Sequence, residues 1–296
     1  MIKRTLYFGS ACHLKIKDEQ LVITNRETGE LNQAPVEDIG FVILDNQGIT
    51  FTHSVFQKLA ENNSAVVICN PKHHPGSMLF HLDTNQLQSE KFRNQINASV
   101  PLKKQLWQQT VKAKILNQAE MLSRIGLNSA HLKRLAKQVK SGDPSNEESK
   151  AARIYWKEIF GNNFKRHREG LQPNSALNYG YAILRAAVAR ALAGSGLLPT
   201  LGIHHKNRYN AFCLADDIME PYRPFVDSLV YDIKDDIDED DLTKEVKAEL
   251  LKLITCDVII GKHKRPLMIA LSQTTASLSK CFDGELKKID YPVFAD

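Results

Sequence analysis

The chain has 296 residues, 43% hydrophobic and 25% charged, an ordinary globular balance that excludes disordered and fibrous classes and leaves length for about two domains. No apolar run approaches the roughly 18–20 residues that cross a bilayer, and the opening MIKRTLYFGS has two basic residues but no apolar stretch, which argues against a secretory signal. Five scattered cysteines, an odd number with no CxxC pair, argue against a disulfide scaffold or a cysteine zinc site and point to a reducing, cytoplasmic location.

In chain order, residues 1 to about 80 read as strands. Leu14 and Ile16 alternate with polar residues, KDEQ turns, Leu21 and Ile23 alternate again, and NRETGE makes a second turn. Val36, Ile39, Phe41–Leu44 and Ile49–Phe51 continue the β pattern. Thr52–Asn63 reads as one short helix, and Ala65–Cys69 as a buried strand ended by PKHHPG. From about Gln86 the period becomes 3.6. Leu106, Trp107, Val111, Ile115, Leu122 and Ile125 fit one or two long amphipathic helices. GDPSN at 142–146 interrupts, and a second helix runs to Gly161. Asn174–Ala193 is apolar on several faces and reads as a central buried helix, stopped by Gly194-Ser-Gly196 and Pro199. Further helices are expected near 211–224, 239–256 and 264–281. The fold class is therefore α+β, with a small β-rich N-terminal domain over 1–84 and a larger all-α C-terminal domain over 85–296.

The net charge of +5 is modest, but its distribution is uneven. From Ser89 to Gly170 there are 17 Lys/Arg against 7 Asp/Glu, and from Asp227 to Leu250 only 3 Lys against 10 Asp/Glu. A basic central region suits a polyanion such as nucleic acid, while the acidic run, 227–241 above all, either docks a partner or, as charge runs usually are, is solvated.

Three polar segments could carry chemistry. In the first, Ser145-x-x-Glu148 precedes an apolar helix, the pattern of a capping box in which Glu148 bonds its own helix start. A carboxylate there also meets the positive end of the helix dipole, which keeps it ionised and available to a metal. The second is a polar loop, Leu201-Gly-Ile-His204-His205-Lys-Asn-Arg208. Adjacent histidines on a loop point apart, so at most one of them is expected to be a ligand. The third is Leu214-Ala-Asp216-Asp217-Ile-Met-Glu220. Its acids at i, i+3 and i, i+4 share a helix face and repel, so they need exposure, a proton or a cation. Together the three segments offer imidazole and hard oxygen donors, which suit Mn²⁺ or Mg²⁺ better than zinc. The residues alone leave His204 a rival to His205.

In order and spacing these segments resemble the CRISPR-associated integrase/endonuclease family (Cas-one), type II branch. The resemblance spans nearly the whole chain. VEDIGFVILDN at 36–46, CNPKHHP at 69–75, NSALNYGYAILRAAVARALAGSGLLPTLGIHH at 174–205 and LADDIMEPYRP at 214–224 carry it. Carried over, the family's metal-binding and catalytic residues fall on Glu148, His205 and Glu220, with Asp217 supporting. One departure is that Ser149 follows the first glutamate where many relatives have a small residue, often glycine, and Glu147 precedes it, which leaves Glu147 a rival to Glu148 for the metal.

The resemblance implies insertion of prespacer DNA into a CRISPR array, with endonuclease activity. A 3′-hydroxyl attacks a phosphodiester, another 3′-hydroxyl leaves, and a Mg or Mn divalent cation held by Glu148, His205 and Glu220 orients the reacting atoms and offsets charge. It also implies double-stranded DNA (prespacer and repeat) as substrate, and a homodimer formed through the N-terminal domains. The implied protein partners are a dimer of the small Cas-two protein and, in this branch, Cas-nine and other adaptation proteins. Two other readings compete. One is a non-catalytic nucleic-acid-binding module whose acids are helix caps and a solvated face. The other is metal-dependent hydrolysis without joining.

Overall fold

A computed structural model of the chain describes residues 4–71, 73, 75–79, 85–167, 172–237 and 242–295. It divides into two compact units, Met1–Gln86 and Leu87–Asp296. The expected change of character at 84/85 adjoins residues 80–84, which lie outside the described residues.

The first unit holds two four-stranded sheets. Strands β1 (Arg4–Phe8), β2 (Cys12–Lys17), β3 (Gln20–Asn25), β4 (Leu31–Pro35), β5 (Ile39–Leu44), β6 (Thr50–Phe51), β7 (Ala65–Cys69) and β8 (Pro75–Leu79) surround one helix, α1 (His53–Glu61). One sheet has the order β1-β5-β7-β8 and the other β4-β3-β2-β6. The alternation of Leu14, Ile16, Leu21 and Ile23 produces the β2–β3 hairpin, with Lys17 opposite Gln20. Its two turn residues, Asp18 and Glu19, both have positive φ (49° and 56°), the backbone twist a two-residue hairpin demands. Strand β5 is buried at every residue because it pairs on both sides, parallel to β1 and to β7. Leu14, Leu21, Ile39, Val42, Val55, Leu59 and Val66 form the core of this unit.

The second unit is mainly helical. Its helices are α2 (Gln88–Asn97), α3 (Val100–Arg124), α4 (Ala130–Gln138), α5 (Glu147–Phe160), α6 (Asn174–Gly194), α7 (Cys213–Met219), α8 (Arg223–Ile233), α9 (Lys244–Leu251) and α10 (Leu267–Phe282). Helix α3 starts cleanly because Ser99 accepts a hydrogen bond from the Leu102 amide and Pro101 occupies the first turn. Helix α6 is the hub. Nearly every residue from Ala176 to Ala193 is buried, and α7, α8, α9 and α10 all pack on it. Helix α3 lies against α4, α5, α7, α8 and the 3₁₀ turn Glu220–Tyr222 that joins α7 to α8.

The structure amends the expected layout of this unit in three places. It is not wholly helical, because β9 (Asp257–Ile260), β10 (His263–Pro266) and β11 (Val293–Phe294) form a small sheet of order β10-β9-β11. Residues 130–138 form a helix of their own, with Leu132, Leu135 and Ala136 buried. The acidic run is solvated at Asp232 and Asp235 but not at its first member, since α8 buries Asp227; residues 238–241 of that run lie outside the described residues. No helix among the described residues is long and apolar enough to cross a membrane.

Candidate active site

The site is assembled from α3, the start of α5, the loop before α7, and the α7–α8 junction. Its first carboxylate comes from α5. Asp143, in a left-handed conformation (φ 49°), turns the chain before this helix. Its two carboxylate oxygens accept hydrogen bonds from the Glu147 and Glu148 amides at 2.9 and 3.1 Å. The expected capping box of Ser145 and Glu148 does not form, because Asp143 satisfies those helix-start donors from outside the helix. Glu148 is thereby released from capping and faces α3, where Lys114 Nζ donates to its Oε1 at 2.5 Å. Its neighbour Glu147 turns away and pairs with Lys150 at 2.9 Å.

The histidine comes from the loop after α6, and Asp217 dictates the shape of that loop. This aspartate is 0% exposed. Its Oδ2 accepts from the Ile203 and His204 amides at 2.7 and 2.9 Å, and its Oδ1 from the His205 amide at 3.2 Å and from His205 Nδ1 at 2.5 Å. The carboxylate is therefore saturated by the loop, and its work is to hold the loop and the imidazole. Gly202 makes this approach possible, since a Cβ there would collide with the His205 carbonyl oxygen and with Asp217 Oδ2. With Nδ1 bonded to Asp217, Nε2 is the imidazole nitrogen left to bind something else.

His204 and His205 have different roles. His204 lies flat on the Trp107 indole, with centroids 4.1 Å apart and planes 3° from parallel, and burial pushes its pKa down. His205 meets the same indole edge-on, and its side chain is 45% exposed. The hydrogen bond to Asp217 raises its pKa, outweighing partial burial, and the nearby Glu220 and Asp216 charges add to the rise.

The last acids come from the α7–α8 junction, and none of them is a solvated face. Asp216, Asp217 and Glu220 are all buried. Asp216 is held by Arg185 Nε and Asn210 Nδ2, both at 2.7 Å. Glu220 is bound on one oxygen by Arg223 at 2.9 Å. Its other oxygen, Oε2, is buried and lies 2.5 Å from Lys114 Nζ. Burial pushes the Glu220 pKa up, but the charges of Arg223, Lys114 and His205 overcome it and hold the carboxylate below its ordinary range.

Glu148 and Glu220 thus converge on one ammonium, and His205 stands close enough to Glu220 for each to shift the other. Among the described residues no three His, Cys, Asp or Glu side chains are mutually near enough to grip a metal. The cation between the two glutamates is Lys114. Burial works to lower the lysine's pKa, but Glu220 and Glu148 outweigh it and hold the ammonium charged. Sequence reading missed Lys114, Asp143, Arg223 and Trp107. The available signal was register: Lys114 is a charge at helical spacing from Trp107, Val111 and Gln118 on the buried side of α3.

Residues 6–260 match the family described as CRISPR associated protein Cas1. The chain is 35% identical over 296 residues to the CRISPR-associated endonuclease Cas1 of Neisseria meningitidis serogroup C (strain 8013), covering 99% of this chain and 96% of that protein. Among solved structures it resembles a casposase bound to integration product, with TM-score 0.79, 18% identity, and coverage of 98% of this chain and 93% of the other. It also resembles a chain of a Cas6-RT-Cas1--Cas2 complex, with TM-score 0.75, 21% identity, and coverage of 97% and 35% respectively. At these identities the two structural likenesses speak to fold.

Proposed function

Because the chain belongs to the CRISPR-associated protein Cas1 family, we propose that it is a metal-dependent DNA integrase and endonuclease, which joins prespacer 3′-hydroxyls to a CRISPR repeat by transesterification. The observation that carries this reading is the convergence of Glu148 and Glu220, from distant parts of the chain, on one cationic centre beside His205.

The donor chemistry of Glu148, His205 and Glu220 suits a divalent ion, although as they stand the two glutamates close on Lys114 and the three do not yet converge tightly enough to grip one. Two carboxylate oxygens, Glu148 Oε1 and the buried Glu220 Oε2, already face one positive charge, and His205 Nε2 is left over by the Asp217 bond. Two hard oxygens and one imidazole are a donor set for Mg²⁺ or Mn²⁺. When bound, such an ion supplies Lewis acidity and charge neutralisation for in-line displacement at phosphorus. Glu148, His205 and Glu220 would hold it. Arg223 fixes one Glu220 oxygen so that the other points inward, and Asp217 fixes the imidazole plane and tautomer. The buried Trp107 indole carries the exposed His204 ring flat against it and forms one wall of the site. One phosphodiester replaces another, so no high-energy cofactor is needed.

DNA would lie along the basic stretch. Exposed Lys133, Arg134, Lys137 and Lys140 stand on and just after α4, which packs beside α5 and α3. Each phosphate neutralised should contribute a slope of about −0.9 in log affinity against log salt. We also assign the chain a cytoplasmic location, dimerisation through the N-terminal unit, and a dimer of the small Cas2 protein as partner. The last is supported by the likeness to a chain from a Cas1–Cas2 assembly. Two active sites must reach both prespacer ends, so assembly is part of the mechanism.

The test is an integration assay with 3′-hydroxyl prespacer and repeat DNA in Mn²⁺ or Mg²⁺. Glu148→Ala, His205→Ala and Glu220→Ala should each lower joined product by at least about a hundredfold, the size expected when a group that stabilises transition-state charge is lost. Full activity in all three refutes the site. Cut ends without joined strands would assign hydrolysis, and salt-dependent binding indifferent to chelator and to these substitutions would assign a binding module.

A further inference from the structure

The ammonium of Lys114 needs a purpose. Its side chain is 9% exposed, and its Nζ stands 2.5 Å from an oxygen of each glutamate. Lysine is rarely buried without cause, and here the cause is two carboxylates that would otherwise repel. Those two carboxylates are also the anionic half of the proposed cation site. A divalent ion placed between them would draw on Glu148 Oε1 and Glu220 Oε2, the two oxygens the ammonium now touches, and so would compete with it for contact.

We propose that Lys114 is a built-in competitor for the divalent cation: the tethered ammonium and the ion exclude one another from the Glu148–Glu220 pair. The inference rests on the metal-site reading above and adds to it a residue outside the His/Glu/Glu set. The exchange has a clear electrostatic logic. With the ammonium in place the pair is neutralised one charge at a time, Glu220 also being served by Arg223, so the carboxylates keep their inward direction without an ion. With a doubly charged ion in place the ammonium is repelled and must leave. Its four-carbon stem lets it do so without moving the α3 backbone. Lys114 therefore sets the divalent-ion concentration at which the site loads. Arginine could not serve as well: its planar, five-donor fork is larger than the ammonium that bridges these oxygens.

The test is Mn²⁺ binding without DNA. The full chain, Lys114→Met and Lys114→Gln are titrated, with free Mn²⁺ followed by electron paramagnetic resonance and melting followed in parallel. Lys114→Met keeps the stem and removes the charge. It should bind Mn²⁺ at least about tenfold more tightly than the parent, since no internal cation need be displaced. It should melt lower in EDTA, where the buried Glu220 and the partly exposed Glu148 lose a partner, and should regain more stability on adding Mn²⁺ than the parent does. Lys114→Gln, which can still donate a hydrogen bond, should move the same way and serves if Lys114→Met does not fold.

Equal or weaker Mn²⁺ binding in both variants overturns the competition while leaving the metal site standing, provided Glu148→Gln abolishes that binding. If neither the parent nor the variants bind Mn²⁺, or if binding survives Glu148→Gln and Glu220→Gln together, the metal site itself falls and the competition with it.

Discussion

Glu220 and Asp227 lie close together in the chain, on either side of the start of α8, and both are buried, yet they are driven in opposite directions. Glu220 faces Lys114 and Arg223 and is held below its ordinary range despite burial. Asp227 faces two tyrosine hydroxyls, Tyr155 Oη at 2.8 Å and Tyr181 Oη at 2.5 Å. Burial pushes it up from 3.8 to about 6, because those two hydrogen bonds and the charges of Arg223 and Arg166 offset desolvation only in part. Depth of burial is therefore a poor guide to the state of a carboxylate. Direct contact with full positive charges keeps Glu220 anionic and ready for a second cation. Neutral donors leave Asp227 a proton-sensitive strut between α5, α6 and α8.

Arg223 belongs to both clusters, and removing it breaks the contrast most forcefully. Its guanidinium bonds Glu220, lies over the Tyr181 ring at 4.9 Å, and acts electrostatically on Asp227. Losing one partner of a buried pair costs about 3–5 kcal/mol; the Arg223 side chain is 29% exposed, so Arg223→Met should cost about 2–3 kcal/mol. Chemical denaturation measures this. The Glu220 carboxylate should also lose part of its preference for the charged form, which would appear as weaker Mn²⁺ binding. A stability loss with unchanged Mn²⁺ affinity would mean that Arg223 braces the fold without orienting Glu220.

The second test isolates Asp227. A carboxylate whose folded pKa lies above its unfolded one binds protons preferentially when folded. Its contribution therefore favours the fold at low pH and is lost as pH rises from about 4 to about 6. Asp227→Asn removes this dependence. The melting temperature of Asp227→Asn relative to the parent should climb across that window, by the equivalent of about 1–3 kcal/mol. Any fixed cost of rearranging the Tyr155 and Tyr181 hydrogen bonds adds a constant offset and does not alter the slope. Parallel pH profiles for the two proteins would show that folding does not raise the Asp227 carboxyl above its ordinary range.

What the sequence disclosed follows the range of each signal. Alternation within a few residues identified the β2–β3 hairpin, and an all-round apolar surface identified α6, because local periodicity is written in contiguous residues. The β9–β10 hairpin escaped. DVII is four residues long and HKRP on its partner strand is exposed, so neither carries a period that distinguishes strand from helix. The acids and His205 were legible through the resemblance of whole segments. Their partners were not, since Lys114 meets Glu148 and Glu220 only through the packing of α3 against α5 and the α7–α8 junction. The capping box at Ser145 failed for a related reason. The motif was present, but Asp143 lay just outside its window and took the Glu148 amide together with that of Glu147.

The smallest expected effect comes from the adjacent pair Glu147 and Glu148. The helical turn sends them to different faces, Glu148 to Lys114 and Glu147 to Lys150. Glu147 has one buried oxygen, Oε2, without a hydrogen bond, so replacing it with an amide removes a charge that is only half satisfied. Glu147→Gln should keep joined-strand yield within about twofold of the parent and change stability by no more than about 1 kcal/mol, since the Lys150 partner is 53% exposed and such pairs contribute little. Glu148→Gln, one residue on, should lose integration. A reversal, with Glu147→Gln inactive and Glu148→Gln active, would put the cation on the other face of α5 and detach the site from Lys114 altogether.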